Sequence, residues 1–417
     1  MSGKAILLVM MGFSMLFMVA GNFFNGVSGR MTDNNIDYFN KTTSHNIAIS
    51  AANLAANNLF LDKYWTTGYN NIDYQNGKYF VNVSLLYDAS ISLTDTFRQV
   101  TSIGIFNRDT SFVKLVLGPS KFSKFAYYSI SEGGSIYWMN KDTVWGPFHT
   151  QGDLLASLKP SFYGKATFKG KISYQTSEKV DAPYFHGGYE KGVDVPMPTN
   201  GVSALKAPSK DGGIYFDGKL PGESTLYLEF QGDYLLYKYK SSGPYIDTLY
   251  LPTAAPNGVI FMDNGNIRMK GTVKGAYTVG CYGSTSLTGS VYLDDDIVYQ
   301  NNPVINPHST DMLGIVAQNQ VLITENTANN NDININASIY VQNNGFGAED
   351  YAGRPVSGKI NLIGGIIQNT RKAVGTFSGT TITSGFSKQY KYDERFRVVA
   401  PPFYPGTGGY EILAWYE

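Results

Sequence analysis

Residues Ala5 to Gly21 read AILLVMMGFSMLFMVAG, and further on Ile47 to Phe60 read IAISAANLAANNLF. The first stretch holds seventeen residues without a charge, and the next charged residue is Arg30. As a helix, Ala5 to Phe24 spans about 30 Å, the thickness of one bilayer core. Lys4 and the amino terminus stand before it, which predicts a cytoplasmic start and export of the rest of the chain. From Asp33 to Trp65 there is neither Gly nor Pro, so nothing in the backbone stops a helix. Ile47, Ala51, Leu54, Ala55, Phe60 and the small residues between them recur there at helical spacing. The two stretches read as one long helix, apolar in its first part and amphipathic in its second, with Gly21, Gly26 and Gly29 as points of bending or melting.

Three fates are open to the apolar stretch. It is a secretory signal ending in the small residues Ala20 or Gly21, an uncleaved anchor, or the packing helix of an assembly. A short leader ending in Gly, a hydrophobic helix and an alanine-rich amphipathic helix together resemble type IV pilin-like proteins. IAISAANLAANNLF is similar to the matching stretch of PilX-like minor pilins. The resemblance implies cleavage by prepilin peptidase between Gly3 and Lys4 and packing of the hydrophobic helix in a filament core. Major pilins carry Glu five residues into the mature chain, where Leu8 stands here, and the leader would be three residues long. What is implied is therefore a minor or accessory subunit, held by the inner membrane and by pilus or other envelope subunits.

The composition of the remainder is that of strands and turns. Tyr 31, Phe 24 and Gly 45 favour pleated sheet broken by tight turns. YFVNVSLLY, ISLTDTF, TSIGIF and SFVKLVL between residues 69 and 128 alternate with period two, and Asn76-Gly77 is the strongest hairpin signal among them. Such hairpins after a helix predict an antiparallel sheet whose apolar face the helix covers. Residues 177–210 read as a long surface loop. From Asn257 short strands repeat, and IRMKGTV can be laid over LTGSV with Gly271 and Gly289 eighteen apart, near one coil of a parallel β-helix; an ordinary sandwich of irregular strands is the other reading. DTVWGPFHTQGDL, GIIQNTRKAVGTF and the tail with Tyr392, Asp393 and Arg395 resemble an uncharacterised bacterial envelope family with PilX-like N-termini, whose members have no assigned reaction. Trp415 and Tyr416 are expected to cap an open sheet end. The fold class expected is mainly β: a long N-terminal helix packed on an antiparallel sheet, followed by a right-handed parallel β-helix-like domain. The divisions expected are 1–28 (leader and hydrophobic segment), 29–130 (pilin-like α+β unit), 131–250 (β-rich middle with a long loop) and 251–417 (β-helix-like domain).

Chemistry is scarce. Lys plus Arg and Asp plus Glu number 33 each, and zero net charge argues against a nucleic-acid partner. Cys281 is the single cysteine, which excludes an internal disulfide and a thiolate cluster. Asp294, Asp295 and Asp296 form the one dense carboxylate run. In a strand Asp294 and Asp296 share a side, so the run reads as a solvated turn, as a weak Ca²⁺ site, or as the acid pair of a polysaccharide-degrading enzyme. His149 has no second ligand nearby and reads as a hydrogen-bonded structural histidine. No cofactor motif occurs. The expected function is a non-enzymatic envelope or pilus-associated structural protein presenting its β-helix for assembly or adhesion. Surface glycans are a further candidate partner, and the alternatives are a carbohydrate-binding adhesin or a β-helix enzyme.

Overall fold

A computed structural model describes residues 3–87, 95–134, 136–140, 142–219, 224–378 and 381–417. The apolar and alanine-rich stretches form one helix, α1 (Gly3–Leu61). It runs unbroken through Gly21, Gly26 and Gly29, because a glycine costs a helix only about 1 kcal/mol relative to Ala. Contacts divide the chain into two compact units: Met1–Tyr87 with Thr96–Gly118 and Gly409–Glu417, and Asp88–Asp95 with Pro119–Gly408.

In the first unit, β1 (Tyr69–Tyr74), β2 (Gly77–Leu86), β3 (Phe97–Phe106) and β4 (Asp109–Lys121) pair antiparallel in sequence order, and the C-terminal strand Gly406–Tyr416 adds itself beside β4. Of the expected run at 91–97, residues 91–94 lie outside the described residues. The first hairpin turns on Gln75 and Asn76, both at positive φ (51° and 60°), the geometry of a two-residue type I′ turn. The turn therefore sits one residue earlier than the Asn76-Gly77 signal predicts, and Gly77 opens β2.

Ser44, Ile47, Ala48, Ala51, Ala52, Ala55, Ala56 and Leu59 make the buried stripe of α1, whereas Leu54 and Phe60 face outward. With Tyr79, Val81, Val83, Val100, Val113, Leu115 and Leu117 of the sheet this stripe forms one core. Small residues on both sides let the helix lie close. A Cβ on Gly104 would stand 2.1 Å from the carbonyl oxygen of Ser44, and Ser102 Oγ donates to the Ala48 carbonyl at 2.8 Å. Trp415 packs against this same core. The tail strand thus covers the edge of the helix-covered sheet beside β4.

The second unit is dominated by parallel pairing. In one column Ile214–Asp217, Val259–Asp263, Ala276–Tyr282, Met312–Ala317 and the later halves of Ile333–Val341 and Val356–Thr370 follow one another. Val356–Thr370 then pairs with Tyr127–Ser131, Ile366 opposite Tyr127, and the column continues through Phe148–Thr150, Ala166–Phe168 and Tyr189–Lys191. A second column joins Thr225–Gly232, Asn266–Val273, Val291–Tyr299, Val321–Ile323 and Phe346–Ala348. A third joins the early half of Val356–Thr370 to Thr381–Lys391, Thr143–Trp145, Ser161–Phe162 and Tyr184–Phe185. Inward side chains such as Met262, Cys281 and Ala317 stand in register on successive strands and belong to one continuous core. Ile267 stands opposite Val291, so Gly271 and Gly289 do not stack and the eighteen-residue offset is not the register there. Residues 131–250 and 251–408 share this one sheet, so the division expected at 250 does not follow the two compact units.

Residues 194–208, which read from sequence as a loose excursion, are a strap. They run back over the outer face of the first column, from its late strands to its early ones. The Val195 carbonyl accepts from Tyr128 Oη at 2.6 Å and the Pro198 carbonyl from Tyr340 Oη at 3.4 Å. Lys206 pairs with Asp263, and the Pro208 carbonyl accepts from Asn257 Nδ2 at 2.8 Å. Val202 and Leu205 are fully buried among Phe261, Val316, Tyr340 and Tyr404. Burying each is worth roughly 1.5–3 kcal/mol, which offsets the ordering of a segment without strands.

Candidate functional site: the bare half of the N-terminal helix

The site is built by one helix that changes character along its length. From Ser44 onward α1 has a sheet to lie on. Before Asn40 every described residue except the half-buried Val27 is exposed. Ile6, Leu7, Leu8, Val9, Met10, Met11, Phe13, Leu16, Phe17, Met18 and Val19 point to all sides and have no cover. An amphipathic helix leaves a polar face for water; this stretch leaves none, the pattern of a helix that needs an apolar surrounding on every side. By length and composition it suffices to cross a membrane. Gly3 and Lys4 open the helix and are exposed, and no atom crowds Gly3 within 4 Å. Leu8, in the position where the resemblance implies Glu in a major subunit, is 72% exposed, one member of that all-round apolar surface.

The acidic run is not one site. Asp294 accepts from Arg268 Nη2 at 2.6 Å and Nε at 3.0 Å, and from Thr324 Oγ1 at 2.8 Å. Asp295 Oδ1 accepts from the Asp296 backbone N–H at 2.8 Å. Asp296 takes the backbone and side-chain N–H groups of Asn334 at 2.7 and 2.8 Å. The run lies in a strand, Val291–Tyr299, where Asp294 helps line a cleft of about 540 Å³ with Tyr227, Tyr245, Lys238 and Lys270, while Asp296 is engaged with Asn334. Among the described residues no three His, Cys, Asp or Glu side chains are grouped to hold a metal ion.

His149 is fully buried. Its Nδ1 lies 2.8 Å from Thr167 Oγ1 and its Nε2 3.3 Å from Gln151 Oε1, and the ring stacks on Tyr128 at 5.3 Å. Burial holds it down, at a pKa of about 4, against the smaller opposing pulls of Gln151 and Asp194. Burial likewise pushes the Cys281 thiol far up, the state of an inert core residue. Asp393 and Arg395 pair at 2.6 Å, and Arg395 also donates to the carbonyls of Ser309 and Asp311 at 2.6 and 2.8 Å, pinning the segment after the last stacked strand.

Two constellations went unread in the sequence. At the seam where Val356–Thr370 meets Tyr127–Ser131, Arg371 pairs with Glu132 at 3.1 Å and lies 4.0 Å from the Trp138 ring centroid. Trp138 Nε1 donates to Glu132 at 2.8 Å, and Lys388 pairs with Asp142 at 3.4 Å. Burial lowers the Lys388 pKa, with Asp142 opposing. The other is the outer face of the third column, where Trp145 stacks on Tyr163 (3.7 Å, 4°) and Tyr163 on His186 (4.4 Å, 9°). Pro147 and His149 drew attention to the turn; the exposed Trp145 two residues before Pro147 was the stronger signal.

No family model matches the chain, and no curated protein is similar to it in sequence. Among solved structures, the crystal structure of the competence-associated pilin ComZ from Thermus thermophilus is similar over 83% of this chain and 86% of that one, with 11% sequence identity and a TM-score of 0.35.

Proposed function

We propose that this chain is a non-enzymatic subunit of the bacterial cell envelope or of a type IV pilus, a minor pilin-like accessory protein. In this reading residues 1–28 are leader and hydrophobic segment, a single pass in the inner membrane, and the remainder is extracytoplasmic. The observation that carries the reading is the contrast within α1, a helix apolar on all sides from Ala5 to Gly21, uncovered as far as Phe39, and packed through an alanine stripe from Ser44 onward. At about 25 cal/mol per Å² of apolar surface withdrawn from water, a helix this bare has two favourable surroundings. One is a bilayer core; the other is a bundle of equivalent helices in a filament.

Prepilin peptidase, cutting between Gly3 and Lys4, releases the helix from the first surrounding to the second. Leu8 in place of Glu favours an accessory position over the repeating subunit. The head is read as a right-handed parallel β-helix, supported by the three columns of parallel pairing and by inward side chains in register. Its mechanical role follows from packing, since each pass buries its inward residues only against the next. Adhesion or assembly are the roles such a spacer serves.

N-terminal sequencing of the mature protein from fractionated cells tests the proposal. A chain beginning at Lys4 in the membrane or sheared-filament fraction is expected. A start near Gly21 or Asn22 assigns the segment to plain secretion, an intact Met1 to simple anchoring, and full-length protein dissolved in the cytosol refutes the envelope reading.

A further inference from the structure

We infer that the outer face of the third column carries a glycan-binding cleft, walled by Trp145 and floored by the amides of Asn334, Asn336, Asn361 and Gln389. The cleft has a volume of about 840 Å³, within the range of pockets that take small ligands. Thr143–Trp145 lies between Thr381–Lys391 and Ser161–Phe162. On the Ser161–Phe162 side the indole is covered by the stacked Tyr163 ring. On the other side its register neighbour is Lys391, which lines the cleft with it. One face of a half-exposed tryptophan is thus spent on the stack and the other opens on the cleft.

The floor is a ladder of amides on successive strands. Asn334 stands opposite Asn361, and Asn361 opposite Gln389, at the roughly 4.8 Å spacing of neighbouring strands. Asn361 Nδ2 donates to Asn334 Oδ1 at 3.1 Å, and Asn334 Nδ2 to Asp296 Oδ2 at 2.8 Å. Through Asn334 the ladder ends on Asp296, whose oxygens are occupied by the Asn334 backbone and side-chain N–H groups.

Asn336 is the decisive residue. It is 4% exposed, lines the cleft, and makes no side-chain hydrogen bond among the described residues. Its amide atoms open on the cleft, so both donor and acceptor are available to a ligand that replaces the water there. Gln389 and Lys391, both exposed, also have no side-chain partner among the described residues.

The chemistry that answers this lining is a sugar. An amide offers two donors and an acceptor, and vicinal hydroxyls present the complementary mixture in a plane. The indole offers an apolar face for the C–H side of a pyranose. A strongly anionic ligand would meet a single ammonium, Lys391, and a cation would meet no free carboxylate, so the ligand is a neutral or singly acidic oligosaccharide lying along the stacking axis. The inference uses the envelope reading only for access to such glycans outside the cell.

The test uses the full-length protein in detergent micelles on an array of neutral and uronic-acid-containing oligosaccharides, with titration calorimetry on the best binder. Binding is expected, weakened about tenfold or more by W145A and by N336L, with unchanged secondary structure by circular dichroism. W145F, which keeps a stacked ring, retains most of the affinity and shows whether loss in W145A reflects the missing face or a disturbed fold. Absence of binding to every glycan, or binding that neither W145A nor N336L weakens, overturns the inference. Protein that is found in the membrane fraction yet binds no glycan overturns this inference alone, whereas cytosolic protein that binds overturns the envelope reading and leaves the cleft.

Discussion

Two outer faces of the same stack carry almost the same motif and meet opposite fates. On the first column Tyr128 and His149 stand on neighbouring strands with rings stacked at 5.3 Å. On the third column Tyr163 and His186, each just past the end of its strand, stack at 4.4 Å. The first pair is fully buried; Tyr163 is 38% exposed and His186 is exposed. What separates them is the strap 194–208, which lies on one column and not on the other. An outward aromatic on a strand therefore says that something covers it or something binds it, and chain segments far away in sequence decide which.

Removing a covered ring should disturb this contrast most severely. Phe261 is fully buried under the strap with Leu205 and Tyr340. F261A is expected to destabilise the second unit by roughly 3–5 kcal/mol, the range for deleting a buried aromatic side chain. Urea unfolding of the full chain measures it. A loss below about 1 kcal/mol would mean the strap does not seal this face. Comparable in size is the buried seam, where R371A strands Glu132 among Tyr127, Ser129 and Trp138 and is expected to cost about 3–5 kcal/mol.

Acidification comes next and acts on the covered face through His149. The unfolded chain takes up the imidazole proton from about pH 6.5 downward, whereas the folded one holds it off until about pH 4. Between those values the unfolded state binds more protons, so stability falls as pH falls, and the loss is complete below pH 4. The window corresponds to about 3 kcal/mol at most. H149Q, which has no proton to gain, is expected to flatten the dependence of unfolding free energy on pH between 6.5 and 4, whatever it does to stability at neutrality. An unchanged slope would show that water reaches the imidazole in the folded protein.

How much of this was legible depends on the range of the interactions. The helix was readable because its cause is local: an uncharged run and a stretch without Gly or Pro specify α1, although the bend expected at Gly21, Gly26 and Gly29 does not occur and the helix stops at Leu61, short of Trp65. The first hairpin was readable to within one residue for the same reason. The stripe on α1 was partly readable: Ile47, Ala51, Ala55 and the small residues between them are buried, Leu54 and Phe60 face outward instead, and nothing in the helix's own sequence announces Gly104, which permits the close approach at Ser44 and Ala48. The order of the stack was not readable at all. Arg371 meets Glu132 across 239 residues, and the strap at Pro198 meets Gln342 across 144. Period-two patterning specifies which side chains face inward, and it is silent on which strand lies next door. For the acidic run, the sequence could place Asp294 and Asp296 on one side of a strand; their separate partners, Arg268 and Asn334, come from two different strands.

The smallest effect probes the contrast from the open side. W145A removes an indole that is half exposed and stacked on one face. The stability lost should be about 1 kcal/mol, the worth of one aromatic stack at a partly solvated site, several-fold below the loss for Phe261. If the two substitutions cost the same, the third column is covered in solution and the free face of Trp145 is not free. If W145A costs little, the ring is retained on the surface for a reason other than folding. A large indole on an outward strand position gains little burial there, and a polar residue would serve the sheet as well. Measuring both variants in one urea series therefore decides whether the two faces differ in physics or only in composition.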